Sequence, residues 1–331
     1  MVMTREPAEE RNLALDAVRV TESAAIASAR WMGLGDLHGA SDSATRAMRA
    51  AFDSLEIAGN VVIGEGEQEE APLLYVGEKV GRWQGDDPRI DVAVDPLEGV
   101  RMCALGQPNA LSVLAMTRRG HFLKAPDMYM DKIAVGPAGK GAVDITQSAT
   151  WNLHAVADAK GVYVQDLTVC VLDRPRHEGL IREIREAGAR IKLIPDGDVA
   201  AAIATCREEE SGIDLLMGTG GAPEGVMAAA ALRCVGGDMV GRLRPRSQDE
   251  MERAVRAGID SPGDYLKLDD LVSGEILFAA TGITDGDLLK GVRFRRGGAV
   301  TQSCVMRSKT RTLRLVEAHH RFDQRPNFGE L

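Results

Sequence analysis

The sequence is short of several things that would each have named a class of protein. It has no CxxC pair: Cys103, Cys170, Cys206, Cys234 and Cys304 stand far apart in apolar surroundings. That pattern suits reduced, mostly buried thiols and excludes a disulfide scaffold. No His/Cys ligand set for zinc can be assembled, because His38, His121, His154, His319 and His320 show no ligating spacing. No apolar run is long enough for a membrane span, since the best candidate, VMAAAALRCVGGDMVG, carries Arg233 and Asp238. The start, MVMTREPAEERN, is polar and acidic, unlike a secretory signal, and residues 1–12 read as a mobile lead-in. A net charge of −9 argues against generic binding to nucleic acid or anionic lipid. No internal repeat, low-complexity tract or Pro/Gly/Ser linker interrupts the chain. What remains is a chain of 331 residues, 44% hydrophobic and 27% charged, able to bury one large core or two mid-sized ones. A cytoplasmic enzyme or small-ligand binder is expected.

The local patterns predict two halves, 1–160 and 161–331. In the first, helical spacing runs from Leu13 to Met32, and WMGLGDLHGASD breaks it. Ser41 or Ser43 is expected to cap the next helix, SATRAMRAAFDSL. VVIG (61–64) and DVAVD (91–95) read as strands, ALSVLAM and HFLKA as a hairpin around RRGH, with further strands near 132–136 and 142–145. This half reads as α+β with an antiparallel-rich sheet. In the second, LTVCVL, RIKLIP, DLLMG and EILFAATG alternate with helical segments, which predicts a parallel sheet covered by helices. RPRSQDEMERAVRAG reads as a charged helical insertion. The halves are expected to pack closely and share a site.

Polar clusters gather where these strands end, the place where open α/β sheets hold ligands. VVIGEGEQEE crowds Glu65, Glu67, Glu69 and Glu70 beside two glycines; alone, such a run is ordinarily a solvated loop. DVAVDPLEGV places Asp95 and Glu98 three apart, and a lone DPxxG is ordinarily a turn. GTGGAPEGV opens a helix with Glu224 in its first turn, which suits either an anion at the helix start or plain capping. Together, Glu65, Asp95, Glu98 and Glu224 are four carboxylates at the mouths of four elements, and a hard cation such as Mg²⁺ accounts best for their company. RPRH offers Arg174 and Arg176 as planar forks for phosphate, and PDGD offers Asp196 and Asp198 for sugar hydroxyls.

The strings VTESAA, VVIGEGE, EAPLLYVGEKVG, DVAVDPLEG, APDMYMDK, RPRH, PDGDVAA, GTGGAPEGV and FAATGITDGDLLKGV resemble the class II fructose-1,6-bisphosphatases of bacteria, almost without gaps from Val20 to His320. Some of that family also act on sedoheptulose 1,7-bisphosphate. The resemblance implies an α/β layered sandwich of the Mg²⁺-dependent, lithium-sensitive sugar phosphatase fold, Mg²⁺ or Mn²⁺ as cofactor, a phosphorylated sugar as substrate and a homo-oligomer. Residue by residue, it implies Glu65, Asp95, Glu98, Glu224 and the Leu97 carbonyl as metal ligands. It places Glu98, Gly99, Val100, Tyr129, Arg174, Pro175, Arg176, Asp196, Gly197, Asp198 and Gly221 around the sugar phosphate, with Arg174 standing where the family has lysine.

The departures lie in the catalytic motifs. Where the family reads GRGDKNxxD, this chain reads GLGDLHGAS: Leu34 and Leu37 replace Arg and Lys, and Ser41 replaces a metal-binding Asp. Asp42 is one residue on, turned by roughly 100° on a helix. Glu69 stands for a shorter aspartate. Val100 stands for the threonine that, with that aspartate, positions and activates water; valine keeps the shape and drops the hydroxyl. Three functions are therefore expected in turn: a retuned sugar phosphatase, a phosphate-eliminating lyase with Glu69, Asp36 or His38 as base, or a non-catalytic sugar-phosphate binder.

Overall fold

The computed structural model describes residues 9–69, 71–259 and 261–324. Residues 1–8 of the expected lead-in and Glu70 of the acidic run lie outside them. The chain begins with helix α1 (Glu9–Ala29), four residues before the expected start, and α2 (Leu37–Phe52). The cap of α2 is Asp36, whose Oδ1 accepts the Gly39 N–H at 2.9 Å. Ser41 and Ser43, expected as caps, fall inside the helix.

Strands β1 (Ala58–Ile63), β2 (Lys79–Val80), β3 (Arg89–Glu98) and β4 (Leu111–Arg118) then build most of a first sheet, with the short α3 (Val100–Ala104) between the last two. The chain leaves it to form a second sheet from β5 (Tyr129–Val135), β6 (Thr168–Leu172), β7 (Arg190–Ile194), β8 (Leu215–Gly221), β9 (Asp238–Arg244) and β10 (Tyr265–Lys267). Its helices are α4 (Ala149–Lys160), α5 (Glu178–Glu186), α6 (Asp198–Ala204), α7 (Glu208–Ser211), α8 (Ala222–Val235), α9 (Gln248–Arg256) and α10 (Leu268–Leu271). It then returns to the first sheet with β11 (Ile276–Gly282), β12 (Arg293–Arg295), β13 (Gly298–Arg307) and β14 (Thr312–Arg321).

Both sheets are mixed. The first runs β12-β13-β11-β4-β3-β1-β2, with β14 on the outer side of β13; the second runs β10-β9-β5-β8-β6-β7. Parallel pairs are β1/β3, β6/β7 and β6/β8, and the others are antiparallel. The change of sheet therefore does not fall at residue 160, because β5 already belongs to the second sheet and β11–β14 to the first. The expected strand EILFAATG is β11, antiparallel to β4 and β13. HFLKA forms no hairpin with β4, whose two edges are taken by β3 and β11; Phe122 makes an isolated bridge to Val272 instead. Residues 142–145 form no strand.

Burial explains the layering. On β3, Val92 and Val94 face α1 and α2, while Ala93 faces the other way; on β6, Cys170 and Leu172 face inward and Val169 and Val171 face α4 and α5. This period-two alternation with both faces apolar marks strands covered on both sides. Between the sheets lie α6 and α8, giving helix–sheet–helix–sheet–helix order. The alanine-rich α8 is apolar all round because sheets press on it from two sides. No helix among the described residues is long and apolar enough to cross a membrane. Four of the five thiols are buried and Cys206 is partly so; burial pushes Cys103 up to about 11.

Candidate functional site

One cavity of about 510 Å³ opens where the two sheets meet. It lies at the C-terminal ends of β1, β3, β6, β7 and β8, and at the start of β5, which runs antiparallel to β8 with Tyr129 opposite Gly221.

Asp95 and Glu98 share this cavity through a local irregularity. Three residues apart on a regular strand, they would point to opposite faces. Between the pairs Asp95↔Val113 and Glu98↔Leu111, β3 spends one residue more than β4, so a bulge at Pro96-Leu97 turns both carboxylates to one side. Proline suits that position because it has no N–H to leave unpaired. The Leu97 N–H closes the turn on Asp95 Oδ1 at 3.0 Å. Gly99 follows at φ +83°, where a Cβ would strike Met102 Cε at 2.2 Å, and Val100 starts α3 with its side chain facing both cavity and core.

The other walls come from both sheets. Glu65 follows β1; the residue keeps contact with water, but burial of its carboxyl raises its pKa, against the Thr45 hydroxyl that donates to Oε2 at 3.2 Å. Gly64 before it lies so close to the Leu74 carbonyl oxygen that a Cβ would be 1.9 Å away. Arg174 and Arg176 follow β6, Asp196 and Asp198 follow β7, and Gly220, Gly221 and Glu224 form the turn from β8 into α8. Arg176 is fixed by two bonds from its guanidinium to the Thr219 carbonyl, at 3.0 and 2.7 Å, and stands 4.9 Å from the Tyr129 ring centre.

The electrostatics are those of crowded, desolvated carboxylates. Burial pushes Asp95 well above the ordinary carboxylate range, and Glu65, Glu224 and Asp196 add repulsion. Burial does the same to Glu98, with Asp198 and Asp95 as its repelling neighbours. Glu224 is raised by burial and by Asp198, and drawn back by Lys132. Glu98 Oε1 accepts the Val199 N–H at 3.0 Å, but Glu98 Oε2 and Glu224 Oε2 are buried with no donor.

Of the expected residues, Glu65, Asp95, Leu97, Glu98, Gly99, Val100, Tyr129, Arg174, Arg176, Asp196, Asp198, Gly221 and Glu224 line the cavity together, and so does Ser41. The structure does not bring Glu69, Asp36, His38 or Asp42 there. Glu69 is exposed on its turn, Asp36 caps α2, His38 is exposed, and Asp42 pairs with Arg46 at 2.9 Å. Pro175 and Gly197 shape their turns without lining the cavity.

Three contributors were not singled out from sequence. Asp127 lines the cavity, Lys132 forms a buried ion pair with Asp198, and Arg246 stands 4.6 Å from the Tyr129 ring centre, held by Glu250. Lys132 left a signal: its neighbours at period two on β5, Met130 and Ala134, face the layer between the sheets, and a charge among them needs a partner.

Residues 11–320 match the family described as bacterial fructose-1,6-bisphosphatase, glpX-encoded. The chain is 46% identical over 329 residues to fructose-1,6-bisphosphatase 1 class 2 of Escherichia coli strain K12, covering 95% of this chain and 97% of that one. Fructose-1,6-bisphosphatase class 2 of Shigella flexneri is similar to the same degree, 46% over 329 residues, with 95% and 97% covered. With that length of match and the carboxylates, arginines and glycine turns gathered in one cavity, the chain belongs to the bacterial class 2 fructose-1,6-bisphosphatase family.

Proposed function

We propose that the protein is a Mg²⁺- or Mn²⁺-dependent phosphatase that hydrolyses a phosphorylated sugar, with fructose 1,6-bisphosphate and sedoheptulose 1,7-bisphosphate as its first candidate substrates. The layered order of the fold is in keeping with the lithium-sensitive sugar phosphatases, and a cytoplasmic homo-oligomer is part of the same reading. The observation that carries it is the pair of orphaned oxygens, Glu98 Oε2 and Glu224 Oε2, in a cavity that also holds Arg174 and Arg176.

A buried carboxylate oxygen without a donor is costly, and a divalent cation removes that cost. Among the described residues no group of three His, Cys, Asp or Glu side chains encloses a cation as it stands, so the fit rests on donor chemistry. That chemistry is all oxygen and anionic, as Mg²⁺ and Mn²⁺ require. Asp95, Glu98 and Glu224, with the Leu97 carbonyl, would hold the ion. When bound, it supplies Lewis-acid polarisation of a phosphoryl oxygen and neutralises the gathered charge.

The protein's own groups do the rest. Arg174 and Arg176 neutralise and orient phosphate, Arg176 already fixed in plane by Thr219. Asp196 and the free oxygen of Asp198 accept from sugar hydroxyls. Val100 presents methyl groups to the cavity where a hydroxyl would have oriented water.

The test is phosphate release from the two bisphosphates by EDTA-stripped protein resupplied with Mn²⁺ in ¹⁸O-labelled water. Labelled phosphate is expected, with EDTA abolishing it. Unlabelled phosphate with an unsaturated product would replace hydrolysis by elimination, and no release from a broad panel of sugar phosphates would leave a binder. Neither of those alternatives draws support from the relatives named above.

A further inference from the structure

The turn that carries Glu65 is held from behind by a buried charge. Glu78, just before β2, is 9% exposed and does not line the cavity. Its Oε2 accepts the Leu74 N–H, and its Oε1 accepts from Nε of Arg49 in the last turn of α2. Leu74 is wholly buried at φ +55°, a left-handed conformation that residues other than glycine seldom take. The Leu74 carbonyl in turn accepts the Glu65 N–H at 3.0 Å. Hydrogen bonds thus run from α2 through Glu78 and Leu74 to the backbone of Glu65.

Backbone bonds close the rest of the turn without the Glu78 side chain. The Val76 N–H donates to the Gly66 carbonyl at 2.9 Å, and the Gly77 N–H to the Val61 carbonyl at 2.8 Å. What the side chain adds is the hold on Leu74. Both of its oxygens accept, which a carboxylate can do and an amide, with one acceptor oxygen, cannot. Arg49, also paired with Asp53, supplies the cation that a buried carboxylate needs.

We propose that Glu78 is a positioning residue for Glu65: by holding Leu74 in its left-handed conformation, it sets where the Glu65 carboxylate stands in the cavity. The proposal rests on the cation-dependent reading above and adds a residue that serves it from outside the cavity. Glu65 is the strongest repelling neighbour of Asp95, so a shift of the turn changes the acidic side where a cation is held. Arg174, Arg176, Asp196 and Asp198 follow strands of the second sheet and stay in place.

The first measurement is hydrogen exchange of the metal-free full chain, read by mass spectrometry on the peptides that carry the Leu74 and Glu65 amides. Exchange there should quicken about tenfold in Glu78→Gln, while peptides of the second sheet keep their rates. The Mn²⁺ concentration that gives half the melting shift should rise about tenfold. KM for the sugar bisphosphate at saturating Mn²⁺ should stay within about twofold. Combining Glu78→Gln with Arg49→Met should restore exchange and Mn²⁺ response, because without the guanidinium the amide oxygen is free to accept the Leu74 N–H. Glu78→Asp keeps the charge but is one methylene short of spanning Arg49 and Leu74. It should shift both measures as Glu78→Gln does, and it carries the test if circular dichroism shows the amide variant unfolded. Unchanged exchange, faster exchange with an unchanged Mn²⁺ response, a KM that rises with the Mn²⁺ requirement, or a double variant no better than the single would each overturn the proposal while leaving metal dependence standing. An unaltered chain that neither responds to Mn²⁺ nor releases phosphate would overturn both.

Discussion

The backbone N–H of Val199 donates to Glu98 Oε1 at 3.0 Å, although the two residues are 101 positions apart. Val199 lies in the first turn of α6, and Glu98 ends β3 of the first sheet. The residue before Val199, Asp198, is paired with Lys132 on β5 of the second sheet. A carboxylate of the first sheet, a helix of the middle layer and a lysine of the second sheet are thereby tied at one point. The geometry of the cavity depends on how the two sheets pack, and the other oxygen of Glu98 is left buried without a donor, with Asp198 and Asp95 as repelling neighbours.

Lys132 is the member of that chain most easily tested for stability. Its ammonium is almost wholly buried, and removing it leaves Asp198 uncompensated beside Glu98, Glu224 and Asp196. Lys132→Met should cost about 3–5 kcal/mol in urea unfolding. Adding Asp198→Asn should recover most of it, because the stranded charge goes with its partner. A double variant no more stable than Lys132→Met would show that packing of the lysine stem, and not the charge, is what matters.

Glu224→Gln should move stability and metal response in opposite directions. In metal-free protein Glu224 is repelled by Asp198 and Asp127 and buries an unmatched oxygen. Neutralising it should leave the melting temperature unchanged or raise it by about 1–3 °C. The rise that Mn²⁺ gives the unaltered protein should disappear, since an ion stabilises only what binds it. Differential scanning fluorimetry with and without Mn²⁺ reads both effects, and a retained Mn²⁺ shift would remove Glu224 from the ligand set.

Much of this site was legible in the sequence, because strand ends announce themselves. The apolar runs before Glu65, Asp95, Arg174 and Asp196 each end at the cavity. The bulge at Pro96, which makes Asp95 and Glu98 neighbours, depends on β4 pairing across it, and no local pattern states which strand will pair. The return of β11 to the first sheet was hidden for the same reason: an apolar strand buried on both faces reads alike in parallel and antiparallel company. The cap of α2 shows the limit of local rules. Ser41 is a good capping residue by type, but Asp36 starts the helix earlier and leaves Ser41 inside it, on the cavity wall.

His177 should give the protein an acid-sensitive component separable from the carboxylates. Its ring is 2% exposed, with Nδ1 bonded to the Leu172 carbonyl at 2.7 Å and Nε2 accepting the Thr219 N–H at 2.8 Å. The acceptor role of Nε2 requires the neutral ring, and burial lowers its pKa, with Arg176 and Arg174 adding to the effect. The unfolded chain takes up the proton first, near pH 6.5, so the stability contribution is full above that pH and falls away below it. Urea unfolding between pH 7.5 and 5.5 should show a loss of up to about 1.4 kcal/mol per pH unit that His177→Asn lacks. Equal slopes in the two proteins would assign the acid sensitivity elsewhere.

Val100 tests whether a single missing hydroxyl limits the chemistry. Its side chain faces the cavity on one side and the core of the first sheet on the other, so threonine can place a methyl in the core and a hydroxyl in the cavity. Val100→Thr should therefore cost under about 1 kcal/mol. It should raise kcat on a sugar bisphosphate about tenfold or more if water orientation is what the valine withholds, because general-base assistance is commonly worth 10²–10⁴-fold. Val100→Ala is the control, since it opens the same space without a hydroxyl and should give no gain. A Val100→Thr protein that is folded, binds Mn²⁺ normally and turns over no faster would show that the valine is tolerated and that the rate is set elsewhere in the cavity.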